Sequence, residues 1–225
     1  MPALQLDGVS KGYPSPAGGT LHVLCSVDLS LEKGEIVSIT GRSGSGKSTL
    51  LSVAALLLPP DGGRVLYSGK DVTALKGKEL ARLRSRSMGF VFQSSLLLAD
   101  FSALENVAMP LLIQGIRKKE AYKRAEEALG LVGVGERALH RPDALSGGEK
   151  QRVAIARALA PSPAIIFADE PTGLLDESTR ETVEAALFES VRAYGLSMLL
   201  VTHDQALAGK ADRKLVLKGG ALQDG

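Results

Sequence analysis

Nine residues, Gly41-Arg42-Ser43-Gly44-Ser45-Gly46-Lys47-Ser48-Thr49, constrain this chain more than any other segment it carries. They fit G-x-x-x-x-G-K-[ST], in which glycines let consecutive backbone N–H groups converge on phosphate oxygens. The arrangement works only if a strand runs into the loop and a helix begins at the lysine, so that the positive helix end adds to the donors. Both flanks are legible: Glu35 to Thr40 reads as a buried strand, and Lys47 to Leu58 as a helix stopped by Pro59-Pro60-Asp61-Gly62-Gly63. There Lys47 is expected to reach β- and γ-phosphates and Ser48 to offer its hydroxyl to Mg2+. Gly41, Ser43, Gly44, Gly46 and Thr49 would complete the cradle. The alternative is a glycine-rich β–α turn with a solvated lysine.

Composition excludes several classes. The chain has 225 residues, 44% of them hydrophobic, which suffices for a core and argues against disorder. Lys and Arg number 27 against 25 Asp and Glu, a net charge of +2, so no global field points to nucleic acid and none is expected as a partner. The longest nearly unbroken apolar run, Leu50 to Leu58 with Ser52 inside it, falls short of the roughly 18 residues of a membrane span. Met1 to Asp7 does not read as a secretory signal. The single cysteine, Cys25, is expected to be a small apolar filler in a strand of a protein kept in a reducing compartment.

Residues 1–40 alternate short β-type runs (Leu4 to Leu6, Leu21 to Leu24, Ile36 to Thr40) with turn clusters, the longest being Tyr13 to Gly19, which predicts a small antiparallel β region. Arg64 to Tyr67 reads as a strand and Lys78 to Arg86 as a basic helix. Residues 94–160 are mostly helical, with breaks expected near Pro110, Gly115, Gly130 to Gly135 and Pro142. Ala164 to Ala168 and Met198 to Thr202 are nearly all-apolar, as in strands buried on both faces of a parallel sheet, and Glu177 to Ala193 supplies a helix between them. Lys214 to Leu217 is a last strand before a Gly-Gly turn. The pattern is α/β: a P-loop NTPase core with a mostly parallel sheet, a small antiparallel β subdomain and an inserted α-helical subdomain. One domain over 1–225 is expected, with 1–93 and 161–225 forming the β region and core, and about 94–160 the helical part.

Two further clusters carry chemistry. Ile165-Ile166-Phe167-Ala168-Asp169-Glu170 is an apolar strand ending in two carboxylates, at the strand end where open α/β sheets bind ligands. Asp169 suits a Mg2+ ion that keeps its water shell, and Glu170 suits polarising a water that attacks the γ-phosphate; a helix N-terminal cap is the alternative. Leu145-Ser146-Gly147-Gly148-Glu149-Lys150-Gln151-Arg152 places an N-cap serine and two glycines at a helix start, again an anion-binding arrangement.

Phosphate loop, LSGGEKQR and strand-Asp-Glu, in this order and over about residues 4–220, resemble the nucleotide-binding subunit of an ABC (ATP-binding cassette) transporter. The resemblance implies an ATP hydrolase that uses Mg2+. It implies that Gln93 is the glutamine joining core to helical insertion and sensing Mg2+ and the attacking water, that His203 contacts the γ-phosphate, and that Tyr13 stacks on adenine. Gly173-Leu174-Leu175-Asp176 corresponds to the D-loop, where Leu174 departs from the more usual Asn or Ala while Asp176 matches. It further implies a homodimer in which the loop of one copy and Ser146, Gly147 and Gly148 of the other sandwich each ATP. Leu97 to Leu112 and His140-Arg141-Pro142 are similar to the lipoprotein-release and macrolide-efflux branch. The insertion would then face an integral membrane permease, at the cytoplasmic face of the inner membrane. The arginines at 82, 84 and 86 and the stretch from Arg117 to Arg124 read as solvated helix faces.

The leading expectation is an ATPase subunit powering a separately encoded exporter of lipoprotein, peptide or drug. The alternative is a cell-division or envelope-signalling ATPase that transmits conformational change without transport. A soluble repair or translation ATPase is disfavoured because the chain has neither a long coiled-coil or zinc insertion nor a second cassette. In a P-loop kinase, LSGGE and His203 would have no role.

Overall fold

The structure is a computed structural model that describes residues 1–15 and 18–225. In chain order the elements are β1 (Leu4–Pro14), β2 (Thr20–Leu31), β3 (Ile36–Thr40), α1 (Lys47–Ala54), β4 (Gly62–Tyr67), β5 (Lys70–Asp71), α2 (Gly77–Ser87), β6 (Met88–Val91), α3 (Ala103–Ile113), α4 (Lys118–Leu131), α5 (Gly147–Leu159), β7 (Ile165–Asp169), α6 (Glu177–Ala193), β8 (Ser197–Val201), α7 (Gln205–Ala208), β9 (Arg213–Lys218) and β10 (Ala221–Asp224). Two 3-10 turns, Gly135–Arg137 and Pro142–Ala144, precede α5. The chain divides into two compact units, Met1–Leu80 with Ser197–Gly225, and Ala81–Leu196.

In the first unit, β1 pairs antiparallel with both β2 and β4, and β5 extends this sheet beyond β4. Its inward residues Leu4, Leu6, Val9, Leu24, Val27, Leu29 and Leu31 are buried while their neighbours face out, the alternation of a half-solvated sheet. Strand β3 pairs in parallel with β8 and β9, and β10 closes back on β9. All five residues of β3 and of β8 are buried, so their near-continuous apolar sequence reflects burial on both faces.

In the second unit, β6 and β7 run parallel, with Met88 opposite Ile165 and Val91 opposite Ala168. Phe90 stacks on Phe92 and on Phe167. Helix α5 buries Val153, Ala154, Ile155, Ala156, Ala158 and Leu159 among α3, α4, α6 and β6. Asn106, 1% exposed, accepts from Leu98 N and donates to the carbonyls of Leu98, Phe101 and Ser102. One buried amide thus fixes the chain entering α3, since leaving it unpaired there is costly.

Several expectations are corrected. Helix α1 ends at Ala54 rather than Leu58 because the chain turns off in a left-handed cap: Leu56 takes φ +56°, its N–H donates to Val53 O, and the N–H groups of Leu57 and Leu58 both turn back to Ser52 O. Helix α3 passes through Pro110 to Ile113. A proline there removes one intrahelical bond, whereas the buried stripe Val107, Ala108 and Leu111 continues past it. The break comes instead at Gly115, at φ +84°, with Ile116 N donating to Leu111 O. The last Gly-Gly turn opens a hairpin into β10. Cys25 is exposed on β2, the period-2 alternation having placed Leu24 inward. Part of the turn cluster from Tyr13 to Gly19, namely Pro16 and Ala17, lies outside the described residues.

Among the described residues, no helix is long and apolar enough to cross a membrane.

Candidate active site

The phosphate loop leaves β3 at Gly41 and enters α1 at Lys47. Two of its glycines are required by close approach. A methyl on Gly41 would lie 2.7 Å from Leu217 O, and one on Gly46 would lie 2.5 Å from Val23 Cγ1, with φ at +156° and +99° respectively. Lys47, 8% exposed, folds its ammonium back onto the carbonyls of Gly41 and Arg42 at 3.0 and 3.1 Å, which holds the loop closed. Ser43, Gly44 and Ser48 are exposed and Thr49 is half-buried.

This loop suits an anion. Helix α1 has Gly46 at its N-cap, no side-chain cap and no acidic residue in its first turn. By contrast Ser102, Ser146, Asp176 and Asp204 cap α3, α5, α6 and α7. The first-turn donors of α1 therefore remain directed at the loop, with Lys47 supplying positive charge. The Ser45 hydroxyl is buried without a hydrogen-bond partner in the same loop.

The same unit brings His203 and Tyr13 to this end. Ile39 pairs with Val201 and Thr202 N donates to Ile39 O, so Gly41 and His203 leave adjacent parallel strands two residues beyond one register position. Asp204 caps α7 through Ala206 N and Leu207 N and donates its own N–H to Thr202 Oγ1, fixing the turn that presents His203, which is exposed. Tyr13 pairs with Leu21 near the end of β1, beside the stretch of β2 whose Val23 packs on Gly46.

The second unit gathers the carboxylates. Asp169 ends β7 and Glu170 follows at φ +46°, uncommon for a residue with a side chain. Glu170 O accepts from Gly173 N at 3.1 Å, closing a turn. A methyl on Gly173 would come within 3.0 Å of Gln93 Nε2 and 3.5 Å of Glu170 Cβ, so Gln93, Glu170 and the D-loop segment meet here. Asp176 caps α6, accepting from Ser178 Oγ at 2.7 Å and from Thr179 N at 3.0 Å, and these bonds hold its carboxyl at about 2. Leu174 is exposed.

At the signature segment Ser146 Oγ accepts from Glu149 N at 3.2 Å while Glu149 Oε2 accepts from Ser146 N at 2.8 Å, a reciprocal capping box. The Ser146 N–H, then the Arg137 guanidinium, hold the Glu149 carboxyl at about 2. Gly148 packs against α6, its missing Cβ replaced by Thr179 Cγ2, and Gly147 faces Leu175.

Three contacts had no sequence signal. Gln151 Nε2 donates to Phe92 O at 2.8 Å, and Arg157 donates to the carbonyls of Ser95 and Leu96, both at 2.7 Å. Helix α5 thus holds the backbone on either side of Gln93. Arg137 Nε meets Glu149 Oε1 at 2.8 Å across twelve residues. All three side chains read in sequence as ordinary polar positions of a helix or turn.

Because Asp176 and Glu149 titrate below their ordinary values, the stability they contribute is complete above about pH 4.5 and lost as pH falls toward about 2. We expect the urea midpoint to drop across that window. Asp176→Asn, which has no proton to gain, should show a shallower drop; an unchanged slope in that variant would assign the acid sensitivity elsewhere.

The family described as ABC transporter matches residues 24–173. The lipoprotein-releasing system ATP-binding protein LolD of Hyphomonas neptunium is 47% identical over 223 residues, 99% of this chain and 97% of that protein. The protein of the same name from Bacteroides thetaiotaomicron is 46% identical over 220 residues, covering 98% and 99% of the two chains. A bacterial ABC transporter cassette solved as a dimer superposes with a TM-score of 0.88 at 38% identity, over 98% of each chain. The same cassette, solved as a dimer in a post-hydrolysis state with ADP and Pi, gives the same score. The fold class expected from the sequence, a P-loop ABC cassette of mixed α/β type, is therefore the one found, and the chain belongs to the ABC transporter family.

Proposed function

We propose that this chain is the LolD-type ATPase subunit of a lipoprotein-releasing exporter, two copies of which close around ATP and drive a separately encoded membrane permease. The observation that carries the reading is the geometry at Ser146. Because Ser146 Oγ accepts from Glu149 N, its own O–H proton stays available as a donor, next to the backbone N–H groups of Gly147 and Gly148 at the start of α5. That is a phosphate-binding set on a segment distinct from the loop of Gly41 to Thr49, which already cradles phosphate by itself. Two such sets suit two copies facing one another.

Within this reading the chain is one cassette, residues 94–160 forming its helical part. Lys47, Gly41, Ser43, Gly44, Gly46 and Thr49 receive the phosphates, and Tyr13 stacks on the base. Glu170 accepts the proton of a water whose oxygen bonds to the γ-phosphorus as the bond to the β–γ bridging oxygen breaks, leaving ADP and phosphate. Gln93 orients that water, His203 contacts the γ-phosphoryl oxygens, and Asp176 shapes the contact between copies. Mg2+ supplies charge neutralisation at the phosphate oxygens, and Ser48, Asp169 and Gln93 would hold it. Among the described residues no group of three or more His, Cys, Asp or Glu is placed to hold a metal ion alone, which fits an ion completed by substrate oxygens and water.

The permease would engage an apolar groove of about 480 Å³ lined by Phe90, Phe92, Leu98, Met109, Pro110 and Ile113. Ile113 is 71% exposed there, and Phe92 joins the groove wall to Gln93. A helix of a membrane protein seated in it would touch the backbone that α5 holds. Within this reading the chain works at the cytoplasmic face of the inner membrane.

The test is the order of the reaction in protein. Purified chain should hydrolyse Mg-ATP with a specific activity that rises with protein concentration, and with sigmoidal dependence on ATP. A specific activity flat across a hundredfold dilution would overturn the two-copy site.

A further inference from the structure

We infer that Arg137 is a positioning residue for the signature segment: its guanidinium neutralises the Glu149 carboxylate that closes the Ser146 capping box, so the donors at the start of α5 meet a phosphoryl group with no uncompensated negative charge beside them. This rests on the two-copy reading above.

The box serves two ends that conflict. A carboxylate in the first turn stabilises a helix start, through the Ser146 N–H and the positive helix end. The same carboxylate repels an anion that must approach the same end. Glu149 is held ionised throughout the physiological range, so the conflict is permanent. Among the described residues, Arg137 is the cation within ion-pair distance of Glu149, Nε to Oε1 at 2.8 Å, with side-chain exposures of 48% and 18%. The Arg137 backbone is itself fixed. It closes the 3-10 turn Gly135–Arg137, and the carbonyls of Ala138 and His140 accept from Leu104 N and Ala103 N at the start of α3. The His140 ring lies 3.5 Å from the other side of its guanidinium. A half-exposed pair of this kind contributes little to folding, so its consequence falls on local charge.

The experiment uses a Glu170→Gln parent, in which turnover is blocked, and reads the ATP concentration giving half-maximal dimer by analytical ultracentrifugation. At about 0.05 M salt, Arg137→Ala should raise that concentration about tenfold, and at about 0.5 M the gap should narrow to about threefold or less. Arg137→Lys should recover most of the loss. With Glu149→Gln also present, Arg137→Ala should cause no further shift, because glutamine keeps the box without the charge. An Arg137→Ala defect that is absent, or that persists undiminished in high salt and beside Glu149→Gln, would overturn the electrostatic role. A parent that stays monomeric with ATP sinks the two-copy reading, and this inference with it, before any Arg137 variant is made.

Discussion

Glu170→Gln is expected to lower ATP turnover at least about 100-fold while leaving ATP binding intact, and to convert the chain into a dimer that persists with ATP and dissociates with ADP. The reason lies in what the substitution keeps. Glutamine has the shape of glutamate and the same backbone, so the turn from Glu170 O to Gly173 N and the neighbouring Gln93 amide are retained. Only the capacity to take a proton is lost. The backbone at this position argues that the side chain is the point: a non-glycine residue at φ +46° costs about 1 kcal/mol, which glycine would avoid. Glu170→Gly, which keeps the backbone turn but removes the carboxylate, should be equally inactive. Steady-state phosphate release and gel filtration with Mg-ATP and Mg-ADP decide the matter. Turnover within a few-fold of the natural chain would shift the base to another group, with His203 the first candidate. Lost ATP binding would make Glu170 a structural residue.

The expected arrest also explains why the site divides as it does between what local sequence reveals and what it hides. Helix α6 is legible to the residue and strand β3 to within one, because an amphipathic run and a short, mostly apolar β-branched segment each state their conformation locally. The phosphate loop is legible from the spacing of its glycines and lysine between a strand and a helix, although the groups those glycines approach, Leu217 O and Val23 Cγ1, are distant in sequence. Pro110 misleads because its local cost is one hydrogen bond, set against an apolar face whose burial depends on α4 and α5. Leu56 and Leu58 look helical by periodicity, yet Leu56 takes the left-handed position of the cap that ends α1, and Pro59 bars Leu58 from the helical region. Arg137, Gln151 and Arg157 are hidden for a different reason. Their partners lie 12, 59 and about 60 residues away, and no periodicity encodes a guanidinium meeting a distant carbonyl. The residues that would touch nucleotide are thus read from motifs, whereas those that hold them in place become visible only in three dimensions.

Gly148 shows how a motif position can carry a packing requirement under its chemical one. A methyl group there would stand 2.1 Å from Thr179 Cγ2 and 3.8 Å from Val183 Cγ2, on the face where α5 meets α6. Gly148→Ala should therefore destabilise the chain by about 2 kcal/mol, the overpacking cost outweighing the gain of about 1 kcal/mol that alanine brings inside a helix. Gly148→Val, with a larger branched side chain, should cost about 3 kcal/mol or more. Thr179→Ala removes the opposing methyl and a hydroxyl bond to Asp176 while leaving the Thr179 N–H that donates to Asp176, so the backbone part of the α6 cap survives. The Gly148→Ala, Thr179→Ala double variant should then return to within about 0.5 kcal/mol of Thr179→Ala alone in urea unfolding. The donor that Gly148 offers a phosphate is its backbone N–H, which alanine retains. The double variant in the Glu170→Gln background should accordingly also recover ATP-dependent dimerisation. Recovery of stability without recovery of the dimer would show instead that the phosphoryl group approaches the Cα of Gly148 too closely for any side chain, so that the bare backbone is needed on both faces of the helix.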